Sequence, residues 1–205
     1  MARGKLITVE GVDGAGKTTL VEGLVGALRG AGRDVETLRD PGGTALSERI
    51  RALARDPALP IAGRAEALLF AAARAQAVEE RVRPLLARGA WVVLDRFTDS
   101  SLAYQGAARR LGVEAVRALN AFATDGLRPD RTLLLRIEPA LRRDRVGGRG
   151  GGAERVEQEP DAFFAAVAAG YDALAAAEPD RFAVIDGGEA PDQVLAAALA
   201  ALASV

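Results

Sequence analysis

Residues 5–20, KLITVEGVDGAGKTTL, decide how the rest of the chain is read. Leu6 to Val9 is a short apolar, β-branched run of the kind that forms a buried strand. It leads into Gly11-Val12-Asp13-Gly14-Ala15-Gly16-Lys17-Thr18, a complete G-x-x-x-x-G-K-[ST] pattern. Beyond Lys17 the apolar spacing becomes helical, with Leu20, Leu24, Val25 and Leu28 on one side. Strand, glycine loop and helix in that order are the context a phosphate-binding loop requires. Gly11, Gly14 and Gly16 clear side chains from the path, so that backbone N–H groups reach phosphate oxygens. The N-terminus of the following helix favours the same anion through its free amides and dipole. Lys17 adds a point charge for the β- and γ-phosphates, and the Thr18 hydroxyl is placed to ligate Mg²⁺. The expected nucleotide-binding set is the loop itself with the next residue: Gly11, Val12, Asp13, Gly14, Ala15, Gly16, Lys17, Thr18 and Thr19.

Composition narrows the chemistry. The chain has 205 residues, enough for one domain with a sizeable core, with or without a small mobile insert. A net charge of −1 argues against nucleic acid as a partner. There is no cysteine and no histidine, which removes disulfides, thiol nucleophiles, serine-type triads and the usual zinc sites. Carboxylates, arginines, a lysine and a hard metal remain, and phosphoryl transfer uses these. Lys5 in the first strand region argues against a secretory signal, and the apolar run Val194 to Val205 is too short to span a bilayer. The expectation is a soluble cytoplasmic protein.

In order, the chain alternates strand-like and helix-like segments. Strands are expected at Asp34–Leu38, Trp91–Leu94, Thr132–Ile137 and Phe182–Ile185 in addition to the first. Helices are expected over Ala45 to about Arg55, with Thr44 as cap, and over Arg64 to about Arg88, kinked or broken near Pro84. Further helices are expected at Thr98–Leu111, Glu114–Thr124, Pro139–Arg145, Asp161–Ala177 and Pro191–Ala203. The pattern predicts an α/β fold: a five-stranded parallel sheet with helices on both faces.

Several residues outside the loop carry candidate chemistry. Asp95 ends an apolar strand, as a metal-organising carboxylate or a helix cap does. Arg96 follows at the carboxyl edge, where open parallel sheets hold ligands and a guanidinium grips phosphate with two N–H groups. Arg142, Arg143, Arg145, Arg149 and Arg155 flank or interrupt a glycine-rich stretch at 147–152. This stretch reads either as mobile arginines that close over a phosphate or as a solvated basic loop. Phe70 and Arg74 are four apart and share a helix face, a pair that either grips a flat base or splits between core and surface.

Taken together, VEGVDGAGKTT (9–19), RDPGGT (39–44), LLFAAARAQ (68–76), DRFTDSSLAYQG (95–106), RPD (128–130) and ERVEQE (154–159) make the chain resemble bacterial thymidylate kinases along nearly its whole length. The resemblance implies a P-loop nucleoside monophosphate kinase fold, one domain over 1–205 with a small mobile lid at about 142–157, and transfer of the γ-phosphoryl of ATP to dTMP. It implies that Asp13 holds the 3′-hydroxyl of the acceptor sugar, that Phe70 stacks on thymine and that Arg74 bonds its O4 edge. Ser100 and Gln105 would line the base site, and Tyr104 would crowd a 2′-hydroxyl. Arg96 would bind the acceptor phosphate with Arg39 or Arg49, and Asp95 would organise Mg²⁺ with Thr18. Catalytic charge would come from Lys17, Asp13 and Arg96, joined by a lid arginine, Arg149 or Arg155. Where one branch of the family has arginine after the loop carboxylate, this chain has Gly14; where the usual motif has glutamate, it has Asp40. The family also implies a homodimer built on apolar helix faces. Competing readings are a kinase for another monophosphate and an ATP-binding regulatory module; a switch GTPase lacks its [NT]-K-x-D motif.

Overall fold

The computed structural model describes residues 3–148 and 155–205. Five strands, β1 (Leu6–Glu10), β2 (Val35–Arg39), β3 (Trp91–Asp95), β4 (Arg131–Arg136) and β5 (Phe182–Asp186), form one sheet in the order β2-β3-β1-β4-β5. Every pairing is parallel, and at the site end Val9 lies between Asp95 and Leu133. Among the described residues the helices are α1 (Lys17–Gly30), α2 (Ala45–Arg55), α3 (Gly63–Ala77), α4 (Arg83–Ala87), α5 (Thr98–Ser101), α6 (Val113–Thr124), α7 (Pro139–Gly147), α8 (Asp161–Ala177) and α9 (Pro191–Leu202).

Both faces of the sheet are covered, which explains why β1 is apolar without alternation and wholly buried. Ile7, Val9 and Val93 pack with Leu20 and Leu24 of α1 and Ala198 of α9. Leu6, Val92 and Leu94 pack on the other side with Val82, Leu85 and Leu86. Side chains alternate across a strand, so Thr8 and Glu10 share the second face with Leu6. Thr8 is satisfied there by the Thr132 hydroxyl at 2.8 Å, and Thr132 in turn meets Asp99 and Arg181.

Two expected helices are built differently. The segment following α3 does not break at Pro84. It widens into a π-helical turn at Val78–Val82, in which the Arg83 N–H reaches back to Val78 rather than to Glu79, and then continues as α4. A proline ring collides with the carbonyl four residues earlier, and a wider turn before it relieves that collision. Likewise Thr98–Leu111 is not one regular helix: α5 opens into a π-helical turn at Leu102–Ala108. The extra residue in that turn re-aims Tyr104 and Gln105, and both face the site.

Because the strands are parallel, the loops after β1, β2 and β3 all leave the sheet at one edge. β1, at the centre, is flanked by strands reached in opposite directions. A crevice forms at that point in such sheets.

Candidate active site

Gly11 leaves β1 with φ 140°, and a Cβ there would stand 2.5 Å from the carbonyl oxygen of Leu135 in the neighbouring strand. Only glycine allows the chain to turn so close to β4. The loop then closes on Lys17, whose ammonium is buried and donates to the carbonyls of Gly11 (3.1 Å) and Val12 (2.9 Å). Burial first, and Arg96 second, push Lys17 down from 10.5 to about 8. The ammonium is thus short of negative charge at the place where a polyphosphate would supply it. Thr18 and Thr19 are exposed at the start of α1 and line the crevice, as do Asp13, Gly14 and Gly16.

Gly14 is covered by α7. A Cβ at Gly14, where φ is 86°, would lie 3.1 Å from Val146 and 3.2 Å from the carbonyl of Arg142. This approach accounts for glycine rather than arginine after Asp13: α7 occupies the space a side chain would need.

Arg96 joins β3 to the phosphate loop. It takes a left-handed conformation (φ 70°) directly after β3, which turns its guanidinium back over the loop. It donates to Asp13 at 2.7 Å and to Ser100 at 3.0 Å, and lies over the Tyr104 ring at 5.1 Å. Burial pushes the Asp13 carboxyl up, but Arg96 and Lys17 outweigh it and hold Asp13 well below the usual carboxylate range. Behind Arg96 stands Glu10, fully buried, to which the sequence reading gave no role. It accepts from the N–H of Phe97 (2.7 Å), the hydroxyl of Ser100 (2.6 Å) and the hydroxyl of Tyr171 (2.8 Å). Burial, then the Asp99 carboxylate, push Glu10 up from 4.5 to about 7. The Ser100 hydroxyl is therefore spent on Glu10, Arg96 and Tyr171, beside the phosphate end of the cleft.

The cleft itself has a volume of about 320 Å³, within the usual range for a small-molecule site. Phe70, Arg74, Ser101, Tyr104 and Gln105 line it together with Arg39, Arg51, Asp95 and Arg96. Arg74 is buried and ion-paired with Asp40, so the shorter carboxylate still finds its partner. Arg74 also donates to Asn120 (2.6 Å), Ser101 (3.1 Å) and the Phe97 carbonyl (3.4 Å), leaving one N–H for a ligand.

Arg49 is exposed and does not line the cleft; Arg51 does. Arg49 and Arg51 are two positions apart, which on a helix is about 200°, and the face of α2 that carries Ser47 and Ala54 inward carries Arg51 with it. Burial, then Arg55 and Arg39, push Arg51 down to about 10. Its side chain donates to the Pro41 carbonyl at 3.0 Å. A crowd of guanidinium groups at one rim is a place for a phosphate.

Arg155 is likewise away from the cleft lining. It donates to the Ala54 carbonyl at 2.9 Å and is ion-paired with buried Glu66. A buried carboxylate is a stronger partner than open cleft, and it captures the chain here. Arg149, the other lid candidate, lies outside the described residues. Of the remaining arginines in that region, Arg142 is buried with its guanidinium over Phe164 at 3.3 Å. Arg145 donates to the carbonyls of Gly187 (2.9 Å) and Gly14 (3.4 Å). Arg145 thereby lines a second cleft, of about 350 Å³, on the far side of the loop with Thr19, Gly187, Glu189 and Pro191. Nothing in the sequence pointed to it, because its two sides, residues 14–20 and 187–194, lie far apart in the chain and meet only in the fold, where Gly187 closes on Ala15 and Arg145 bonds to both sides.

Asp95 and Thr18 both line the main cleft. Among the described residues the buried Oδ1 of Asp95 has no hydrogen-bond partner, and no group of three or more carboxylates is gathered for a metal. One orphaned carboxylate oxygen and one hydroxyl suit Mg²⁺, which keeps its waters and takes phosphate oxygens for the rest.

Two nucleotide-sized clefts that meet at one phosphate loop, on the carboxyl edge of a parallel sheet, place the chain among P-loop nucleoside monophosphate kinases. Its sequence is more specific still. The model of the thymidylate kinase family matches residues 9–198. The chain is 46% identical over 205 residues to a thymidylate kinase of Alkalilimnicola ehrlichii, covering 100% of this chain and 94% of that protein. It is 48% identical over 198 residues to one of Bifidobacterium longum (95% of each) and 46% identical over 202 residues to one of Deinococcus radiodurans (98% of each). The chain belongs to the thymidylate kinase family.

Proposed function

We propose that this chain is an ATP-dependent dTMP kinase, which transfers the γ-phosphoryl group of ATP to dTMP and yields dTDP and ADP on the way to dTTP. The observation that carries the reading is that Arg96 is held on Asp13 of the phosphate loop in the same cleft that Phe70 and Arg74 line. Phe70 offers a flat apolar face, Arg74 its last free N–H for O4, and Tyr104 closes the sugar end where a 2′-hydroxyl would sit. Asp13 is ionised and held by Arg96, so it accepts the 3′-hydroxyl of the acceptor. Arg96, with Arg39 and Arg51, grips the acceptor phosphate, and the second cleft at Arg145 and Gly187 takes the donor nucleoside.

Chemistry then rests on position and charge. Holding two nucleotides end to end makes attack effectively intramolecular, worth up to roughly 7–11 kcal/mol. The acceptor phosphate is already an anion, so no general base is needed. Lys17 and the loop amides hold the transferring phosphates. Asp95 and Thr18 would hold Mg²⁺, which neutralises charge developing on the β- and γ-oxygens. Arg149 is the lid arginine in this reading, and one such group contributes about 10³–10⁵ in rate. The lid spans about 142–157 of a single domain. The working form is a homodimer in the cytoplasm; no helix among the described residues is long and apolar enough to cross a membrane.

The test is ADP release coupled to a panel of acceptors. Turnover that depends on dTMP, with a KM for dTMP raised roughly tenfold or more in Phe70→Ala and a kcat lowered in Arg149→Ala, supports the assignment. Equal ADP release with and without acceptor would reject it in favour of an ATP-binding module.

A further inference from the structure

Gln105 lines the cleft and is almost wholly buried, so the way its carboxamide points is fixed by its surroundings. Its amide nitrogen lies 2.6 Å from Oε1 of Glu66. Glu66, on α3, is itself buried and receives Arg109 (3.3 Å at Oε1, 3.2 Å at Oε2) and Arg155 at Oε2. Burial pushes the Glu66 carboxyl up, but Gln105, Arg155 and Arg109 outweigh it and keep the group below its ordinary value. An ionised carboxylate only accepts hydrogen bonds. The Gln105 nitrogen must therefore face Glu66, and its carbonyl oxygen is the atom left for a ligand.

We propose that Glu66 is a positioning residue for base selection: by holding the Gln105 amide in one sense it presents an acceptor to the pyrimidine edge beside Arg74. Arg74 is a donor and Gln105 an acceptor, and both line the same cleft. On a pyrimidine ring the complement is an acceptor at position 4 next to a donor at position 3. Thymine and uracil have that pair, O4 and N3–H; cytosine has the reverse. The selection is made two steps back from the base, by a carboxylate that touches no substrate. It rests on the pyrimidine-nucleotide reading of the cleft.

The probe is 5-methyl-dCMP, which keeps the shape of dTMP but carries an amino donor at position 4 and a bare acceptor at position 3. Wild-type enzyme should favour dTMP over this analogue in kcat/KM by roughly a hundredfold or more, since both pairs become like facing like. In Glu66→Gln the Gln105 amide is free to turn its N–H towards N3, and the ratio should fall by roughly tenfold through KM rather than through kcat, the share set by Arg74 being the same in every variant. In Gln105→Met the ratio should fall to a similar value, and adding Glu66→Gln should not move it further. A purely structural Glu66 would lower both substrates together and leave the ratio intact, which overturns the proposal. If Glu66→Gln does not fold, Glu66→Asp keeps the charge for the two arginines while withdrawing from Gln105, and the same ratio decides. Wild-type protein that does not turn over dTMP at all would refute the parent assignment instead.

Discussion

Glu10 shows how a single residue inside an apolar strand governs what stands in front of it. With Arg96 in a left-handed conformation, the loop after β3 needs anchors, and Glu10 supplies them through Phe97, Ser100 and Tyr171. Its raised value means that the folded state holds the proton more tightly than the unfolded chain. The stability from this group is therefore full below about pH 4.5 and is lost as pH rises towards about 7. Glu10→Gln should flatten that part of the stability profile, measured by urea unfolding at a series of pH values; an unchanged slope would count against the buried proton. At the same scale, Arg51→Ala should raise the KM for dTMP roughly tenfold, whereas Arg49→Ala should stay within about twofold. The sequence reading named Arg49 and did not name Arg51, because telling them apart requires the rotation of α2 about its own axis. Equal effects from the two would reject the face assigned to Arg51.

Among the elements, the π-helical turn after α5 departs furthest from what periodicity alone suggests, whereas α7 starts where the sequence reading put it. α7 lies against the phosphate loop with Gly14 beneath it. Gly14→Ala adds a Cβ at a positive φ and pushes it towards Val146, so it should cost about 1–3 kcal/mol and lower kcat/KM for ATP by more than tenfold. Stability by denaturant titration and steady-state kinetics check the two halves separately, and wild-type values for both would mean that α7 does not rest there. The π-helical turn carries Tyr104 and Gln105. A regular helical spacing put them in the right neighbourhood but could not set their direction. Helix and strand positions were otherwise legible in the sequence. Thr44 accepts from the Ser47 N–H as a cap should, and α2 and α8 have the limits that capping and apolar spacing predict.

At the scale of the molecule, α2 packs on α3 and α3 on α6, and their outer sides carry Leu46, Leu53, Leu68 and Phe122 exposed to solvent. Phe122 is 89% exposed, an unusual place for a phenylalanine on a lone monomer. If that face joins two copies, Phe122→Asp should shift the sedimenting species from dimer to monomer at micromolar concentration. A wild-type monomer under the same conditions would remove the homodimer from the account.

The sequence by itself determined the sheet, the phosphate loop and the family. Each of these is written in local order: glycines at fixed offsets, apolar runs of strand length, motifs a few residues long. Tertiary structure alone decided which arginines face the cleft, that Arg155 turns to Glu66, that Glu10 and Glu66 stand behind the site, and that Arg145 closes a second cleft. These depend on charges brought together from distant parts of the chain. A buried carboxylate takes whichever donors the fold delivers, and no spacing along the sequence records that delivery.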